Sequence, residues 1–413
     1  MKPRSRRGRA LLLLGLLGPG LIAANAGNDA GGIATYSSVG AKYGYSLLWA
    51  MVLITLSLVM VQRASARMGV VSGKGLAELI RERYGIRWSA FATLAVLIAN
   101  FGICISDFVG VGAALGLAGI PAQVSVPIAA VGIWLIIVRG SYRSAERVFI
   151  WLTIPFFAYP VAAILAHPDW SAVGHALVVP HFQTTPAFLL LFVAMAGTTI
   201  TPYMQLYLQS AVVERGASEE DLPAESREAV GGALFADLIA AFVIIATGAT
   251  LYESGIHSIG SAADAAKALG PLAGQYAELL FGIGLLGASL LAAAILPIAT
   301  SYVVAESLGF EKGIGRRTQE APVFMGLITA MIAVSTIVAV IPGVPVISLL
   351  VGVQVVNGLL LPINLFFVWR LARSEELMGE HRNRGIVDWV TAATVAATST
   401  LSLILVAVTV AGI

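Results

Sequence analysis

Charge is what this chain has least of. Of its 413 residues only 12% are Asp, Glu, Lys or Arg and 58% are hydrophobic, whereas soluble globular domains carry about 25% charged residues. That composition excludes a water-soluble fold and leaves an all-α polytopic membrane protein. Cysteine occurs once, at Cys104 inside an apolar run, which excludes a disulfide framework and a thiolate metal cluster. Histidine is scarce too, and His167, His175, His181 and His257 fall between apolar runs, where they read as solvated. No HExxH, no GxSxG and no Ser/His set is found on runs that could face each other, so a membrane-embedded enzyme is not expected.

Long apolar runs are what the chain does have. A span needs roughly 20 largely apolar residues to cross about 30 Å of hydrocarbon. Eleven stretches qualify, near 11–44, 45–66, 88–115, 121–138, 147–166, 185–212, 229–251, 275–308, 322–341, 345–370 and 387–412. Lys and Arg test that count independently, because loops left in the cytoplasm are enriched in them. With the N-terminus cytoplasmic, 23 of the 25 Lys and Arg fall inside, and only Lys42 and Lys267 fall outside. The expected location is the plasma (inner) membrane, multi-pass, with the C-terminus outside. The same count weighs against a cleaved leader, although Lys2 to Arg9, Leu11 to Leu17 and Ala24-Asn25-Ala26 mimic its three regions.

Two spans are interrupted. The first carries AGNDAGG at 26–32, and the sixth carries GTTITPYMQ at 197–205. Glycine in a helix interior costs roughly 1 kcal/mol, and Pro202 removes a backbone donor. Unwound backbone at membrane depth is tolerated only where it lines a cavity. The breaks are separated by five spans, an odd number, so a second copy of a five-span unit must be inverted. Paired broken helices in two such halves point to a binding site at the midplane. The expected organisation is a first repeat over 1–166, a second over 185–372 and an accessory span over 386–413.

Asp29 is the strongest single signal. A carboxylate at mid-bilayer costs at least about 2.5 kcal/mol and marks a functional site by default, although Asp is also a favoured helix N-cap. Freed carbonyls and half-helix ends suit a cation as the partner. Asp237 and Glu306 lie near the ends of their spans, where a solvated structural role is expected. In VGVQVVNGLLLP, Gln354 and Asn357 sit one turn apart on one face; Asn357 and Asn364 suit bonds across helices. Tyr203, Gln205, Tyr207 and Gln209 are placed to line an inner vestibule or to pack.

At this point the residues resemble a known family. GPGLIAANAGNDAGGIATYSSVGAKYGYSLLW, from Gly18 to Trp49, is similar to the first helix of the NRAMP divalent-metal transporters, whose broken region reads DPGN. GTTITPYMQLYLQSAVV, from Gly197 to Val213, resembles that family's MPHN segment. The resemblance covers about residues 10–370 and implies the leucine-transporter fold, a 5+5 inverted repeat plus one extra helix. In this alignment Asp29 keeps the family aspartate, Ala30 stands for its proline, Gly32 for its asparagine, Thr201 for the ligand methionine and Tyr203 for histidine. Thioethers select softer transition metals, whereas carboxylate, carbonyl, hydroxyl and water suit Mg²⁺, Ca²⁺ and Mn²⁺. The pattern is therefore most like the NRAMP-related magnesium transporters, and it implies a partly hydrated Mg²⁺, and also Mn²⁺, moved by alternating access.

The metal contacts so implied are Asp29, Gly32, Thr201, Ala26, Thr198, Gln354 and Tyr203, with Met204 able to enter if the one-residue insertion near it is placed differently. Asp107 aligns with a proton-path glutamate, though it also suits a structural bond to a neighbouring helix. Gln209 stands where the family has a histidine, and Asn357 backs Gln354. With most titrating groups missing, weak or absent proton coupling is expected. The alternatives are a proton-coupled Mn²⁺/Fe²⁺ symporter of the same family and a Na⁺-coupled symporter of a small organic substrate. No cofactor, no nucleic acid and no obligate protein partner is expected; the partners are the metal ion and the lipid bilayer.

Overall fold

The computed structural model describes residues 27–139, 157–267, 270, 274, 277–313 and 318–411. Helices account for every long element among them, and no strand occurs there. They are α1 (Ala30–Tyr43), α2 (Leu48–Ser72), α3 (Leu76–Tyr84), α4 (Ile86–Gly116), α5 (Ala122–Arg139), α6 (Ala158–Leu165), α7 (Trp170–Val178), α8 (Pro186–Thr199) and α9 (Pro202–Glu214). Then follow α10 (Leu222–Thr247), α11 (Ala277–Leu308), α12 (Pro322–Ala339), α13 (Val346–Ala372) and α14 (Ile386–Ala411).

Nine helical segments in the described residues are long and apolar enough to cross a membrane, with α8 and α9 forming one of them. They coincide with nine of the eleven stretches read from the sequence. The first and fifth stretches are described only from Gly27 and from Phe157 onward. The expected half-helix before Ala26, and Ala26 itself, lie outside the described residues.

Helices at equal places in the two halves lie against each other. α2 packs on α10, α4 on α11 and α5 on α12. α1 sits among α4, α8, α10 and α13, so the first break is enclosed on all sides. Where α8 meets α13 the backbones nearly touch: a Cβ on Gly197 would fall 2.6 Å from Gly358 Cα. Asn357 Nδ2 donates to Gly197 O across this seam at 2.6 Å. Small residues that let helix backbones approach, reinforced by an amide, are the ordinary adhesive between helices in lipid.

Two expectations about carboxylates are corrected. Asp237, read as solvated near a helix end, is only 4% exposed. The reason is that α10 begins seven residues before the apolar run: Ser218 and Asp221 form a capping box over the turn Glu219–Asp221, and the helix starts at Leu222. Asp237 thus falls in mid-helix. Glu306 does lie near the end of α11, but its side chain is fully buried. Lys312 Nζ meets it at 2.9 Å and Ser210 Oγ donates to it at 2.7 Å, and charge pairing of this kind is what permits its burial.

Candidate metal-binding site at the two breaks

The first break ends where Asp29 caps α1. Its backbone is extended (φ −66°, ψ −177°), and Oδ1 accepts from Gly32 N at 2.5 Å. The N-cap and the substrate readings of Asp29 are therefore compatible, since the cap occupies part of one oxygen only. The second break is two residues long. Ile200 ends α8, and Thr201 is extended (φ −66°, ψ 135°) before Pro202 opens α9. Proline is tolerated at that first helical position because the missing N–H would have no helical acceptor there.

The two breaks touch. Thr198 Oγ1 donates to Gly27 O at 3.1 Å, and Thr201 Oγ1 donates to Thr198 O at 3.1 Å. Tyr36, one turn after Gly32, bonds Thr199 Oγ1 at 2.9 Å. From α13, Gln354 Nε2 donates to both oxygens of Asp29, each at 3.1 Å. Asn357 Nδ2 reaches Gln354 Oε1 at 3.3 Å and so holds that amide with its nitrogen toward the carboxylate. From α4, Asp107 Oδ1 accepts from Ala30 N at 3.3 Å, while its Oδ2 is buried without a partner.

Four consecutive residues of the first break are each tied to a different helix. Gly27 O accepts from α8, Asn28 Nδ2 donates to Ala236 O of α10 at 2.9 Å, Asp29 is bound by α13, and Ala30 N donates to α4. Asn28, Tyr36 and Asn357 hold the break in shape. Asn28 and Tyr36 were not singled out by sequence; their signal was polarity on a stretch with no aqueous face.

The structure gathers Asp29, Gly32, Thr198, Thr201, Gln354, Asn357 and Asp107 into one cluster in which no side chain is more than 1% exposed. Tyr203 is buried within electrostatic reach of Asp29 and Asp107. Gln209 does not join them. It lies eight residues beyond Thr201, roughly 12 Å along a helix, and its Nε2 donates to Lys74 O at 2.8 Å. Met204 is turned away as well, its sulfur accepting from Gln62 Nε2 of α2 at 3.7 Å. Although Gly32 has no side chain, no space is left beside it: a Cβ there would stand 2.9 Å from Thr198 Oγ1 and would strike Gly27 O. Glycine is needed at 32 because protein oxygens crowd its Cα.

No cluster of three or more His, Cys, Asp or Glu suited to a metal occurs among the described residues. A cation here would instead be held by one or two carboxylates, hydroxyls, amide oxygen and backbone carbonyls, with water completing the shell. Hard divalent cations accept that donor set.

A bundle of apolar, membrane-length helices enclosing a carboxylate beside a broken span is the arrangement of a multi-pass membrane protein with a binding site at mid-depth. The chain belongs to the Nramp family: the family model described as natural resistance-associated macrophage protein-like matches residues 20–408. A relative from Ralstonia nicotianae, described as the divalent metal cation transporter MntH, is 32% identical, with 90% of this chain and 86% of the relative covered. Among solved structures, the manganese transporter of Eremococcus coleocola superposes with a TM-score of 0.76 at 21% identity, over 98% of this chain and 88% of that one. MhsT, solved with L-phenylalanine, superposes at 0.61 and 15% identity over 95% and 97%. The fold is that of the leucine-transporter class.

Proposed function

We propose that the cation this divalent-metal transporter carries is Mg²⁺, with Mn²⁺ as a second substrate, held partly hydrated at Asp29. One observation carries the reading: among the described residues the polar groups bonded at Asp29 and between the two breaks are oxygens, amides and backbone groups, and the thioether of Met204 is engaged with Gln62 on α2. Oxygen sites without a soft ligand favour Mg²⁺ and Mn²⁺ over later transition metals. Mg²⁺ is bound by few protein ligands and keeps its waters, which matches a site built on one carboxylate at the break, Asp29, whose partner Gln354 is a side chain able to move.

In the proposed cycle the ion meets Asp29 together with the carbonyls freed at Gly27 and Thr198, and the Thr201 hydroxyl. The Gln354 amide must then turn its oxygen inward or withdraw, because its N–H groups repel a cation. Passage is driven by the membrane potential, each charge gaining about 2.3 kcal/mol per 100 mV. The deciding experiment is Mg²⁺ and Mn²⁺ flux into proteoliposomes with internal pH recorded, for the wild type and Asp29→Ala. Uptake of both ions that vanishes in the variant supports the assignment; undiminished flux in the variant refutes it.

A second reading is proton-coupled Mn²⁺ transport, favoured by the unpartnered Oδ2 of Asp107 facing the break. Acidification that tracks Mn²⁺ uptake, with Mg²⁺ excluded, establishes that reading in place of the first.

A further inference from the structure

On the arginine-rich end of the bundle, away from Asp29, a cavity of about 790 Å³ opens between α2, α10 and the segment joining α13 to α14. Arg63, Arg67, Arg227 and His381 line it, against a single carboxylate, Glu219. Among the described residues none of the three arginines makes an ion pair. Arg67 is fixed in place by donating from Nη2 to Asn383 Oδ1, and its Nε is buried without a partner. A fixed guanidinium beside two further arginines, none of them ion-paired among the described residues and with Glu219 the one carboxylate in the lining, presents donors to an anion from outside the chain, and guanidinium matches phosphate oxygens in shape as well as charge.

The two helices that line the cavity carry apolar strips on the same faces as its arginines. On α2, residues 56, 60, 63 and 67 recur at the spacing of one helix face, so Arg63 and Arg67 terminate a strip that includes Leu56, 45% exposed. On α10, residues 227, 231, 234 and 238 do the same, so Arg227 terminates a strip containing Leu234 and Leu238, 52% and 53% exposed. Gly231 lines the cavity and a Cβ on it would meet nothing within 4 Å. Since α2 and α10 pack on each other, a cationic pocket at the end of the bundle opens directly onto an apolar surface of lipid-chain character.

We propose that this is a binding site for one anionic phospholipid, its phosphate held by Arg63, Arg67 and Arg227 and its acyl chains laid along Leu56, Leu234 and Leu238. Basic pockets between transmembrane helices on the cytoplasmic side take anionic headgroups, each cationic residue strengthening binding about fivefold. The apolar strips select a lipid over a free phosphate.

The test is retention of lipid by the purified full-length protein in detergent, read by native mass spectrometry after addition of phosphatidylglycerol, phosphatidylcholine or inorganic phosphate. The expected result is one phosphatidylglycerol retained at least about tenfold more strongly than phosphatidylcholine, with inorganic phosphate unable to displace it at millimolar concentration. In R63A/R67A/R227A that preference should disappear, and in R63K/R67K/R227K most of it should survive. Equal retention of the two lipids by the wild type, or displacement by inorganic phosphate, overturns the proposal without recourse to any variant.

Discussion

The Nε2 of Gln354 lies 3.1 Å from each carboxylate oxygen of Asp29, so a residue of α13 bridges the acid that caps α1 across 325 positions of sequence. The neutral amide donates to both oxygens of a buried carboxylate, and it stands where a cation would have to come. Replacing Gln354 with Ala removes both the bridge and a potential oxygen ligand. Polar partners of metal ligands are typically worth 10- to 100-fold in affinity. The concentration for half-maximal Mg²⁺ uptake in proteoliposomes should therefore rise by about that factor; an unchanged value would remove Gln354 from the site.

Thr201 tests the choice of ion. Thr201→Met introduces a thioether at the start of α9, and soft ligands shift preference toward softer metals. Mg²⁺ flux should fall while Mn²⁺ or Cd²⁺ flux is retained or rises, measured as competition between the ions in one vesicle preparation. Equal loss for all three ions would show that Thr201 serves only its bond to Thr198 O.

The seam between α8 and α13 sets a stability prediction. Gly197→Ala would press a methyl group onto the backbone of Gln354 and Gly358, which cannot rotate away as a side chain could. Overpacking of this kind costs about 1–3 kcal/mol. The variant should melt at a lower temperature in detergent, and Asn357→Ala, which removes the neighbouring amide bond, should compound the loss.

Lys312 and Glu306 form a charge pair at the arginine-rich end, with the Glu306 side chain wholly buried. Taking away Lys312 alone strands that carboxylate, and breaking a buried pair on one side costs about 3–5 kcal/mol. Lys312 is itself 30% exposed, so the lower end applies. Lys312→Ala should lower the melting temperature, and Lys312→Ala combined with Glu306→Gln should recover most of the difference. A double variant no more stable than the single one would assign the effect to lost packing of the lysine stem.

Much of this arrangement was legible before any coordinates. The nine described spans, the interruption at Ile200 and Thr201 and the expectation of a special role for Asp29 follow from hydropathy, loop charge and the cost of polar groups in lipid, which are local properties. Gln354 was legible as a polar residue on an apolar face, though its approach to Asp29 was implied only by resemblance. Less legible was anything fixed by three-dimensional crowding. At Gly32 a sequence shows only a missing side chain, whereas protein oxygens fill the volume beside it. Asp237 looked terminal because hydropathy marks where a helix becomes apolar, whereas its start is set by the capping box at Ser218. Gln209 is internal as its apolar neighbours suggest, but its partner is the loop carbonyl of Lys74, which no periodicity could reveal.

Residues 27 to 30 bind α8, α10, α13 and α4 in turn. Their tolerance of change is therefore lopsided. Gly27 and Ala30 hold their tethers through backbone atoms, Asn28 through its amide and Asp29 through a carboxylate that also caps α1. Deleting or inserting one residue there is another matter, because it would hand every group to the wrong neighbour at once. The length of the stretch is therefore under a constraint separate from the identity of any residue in it.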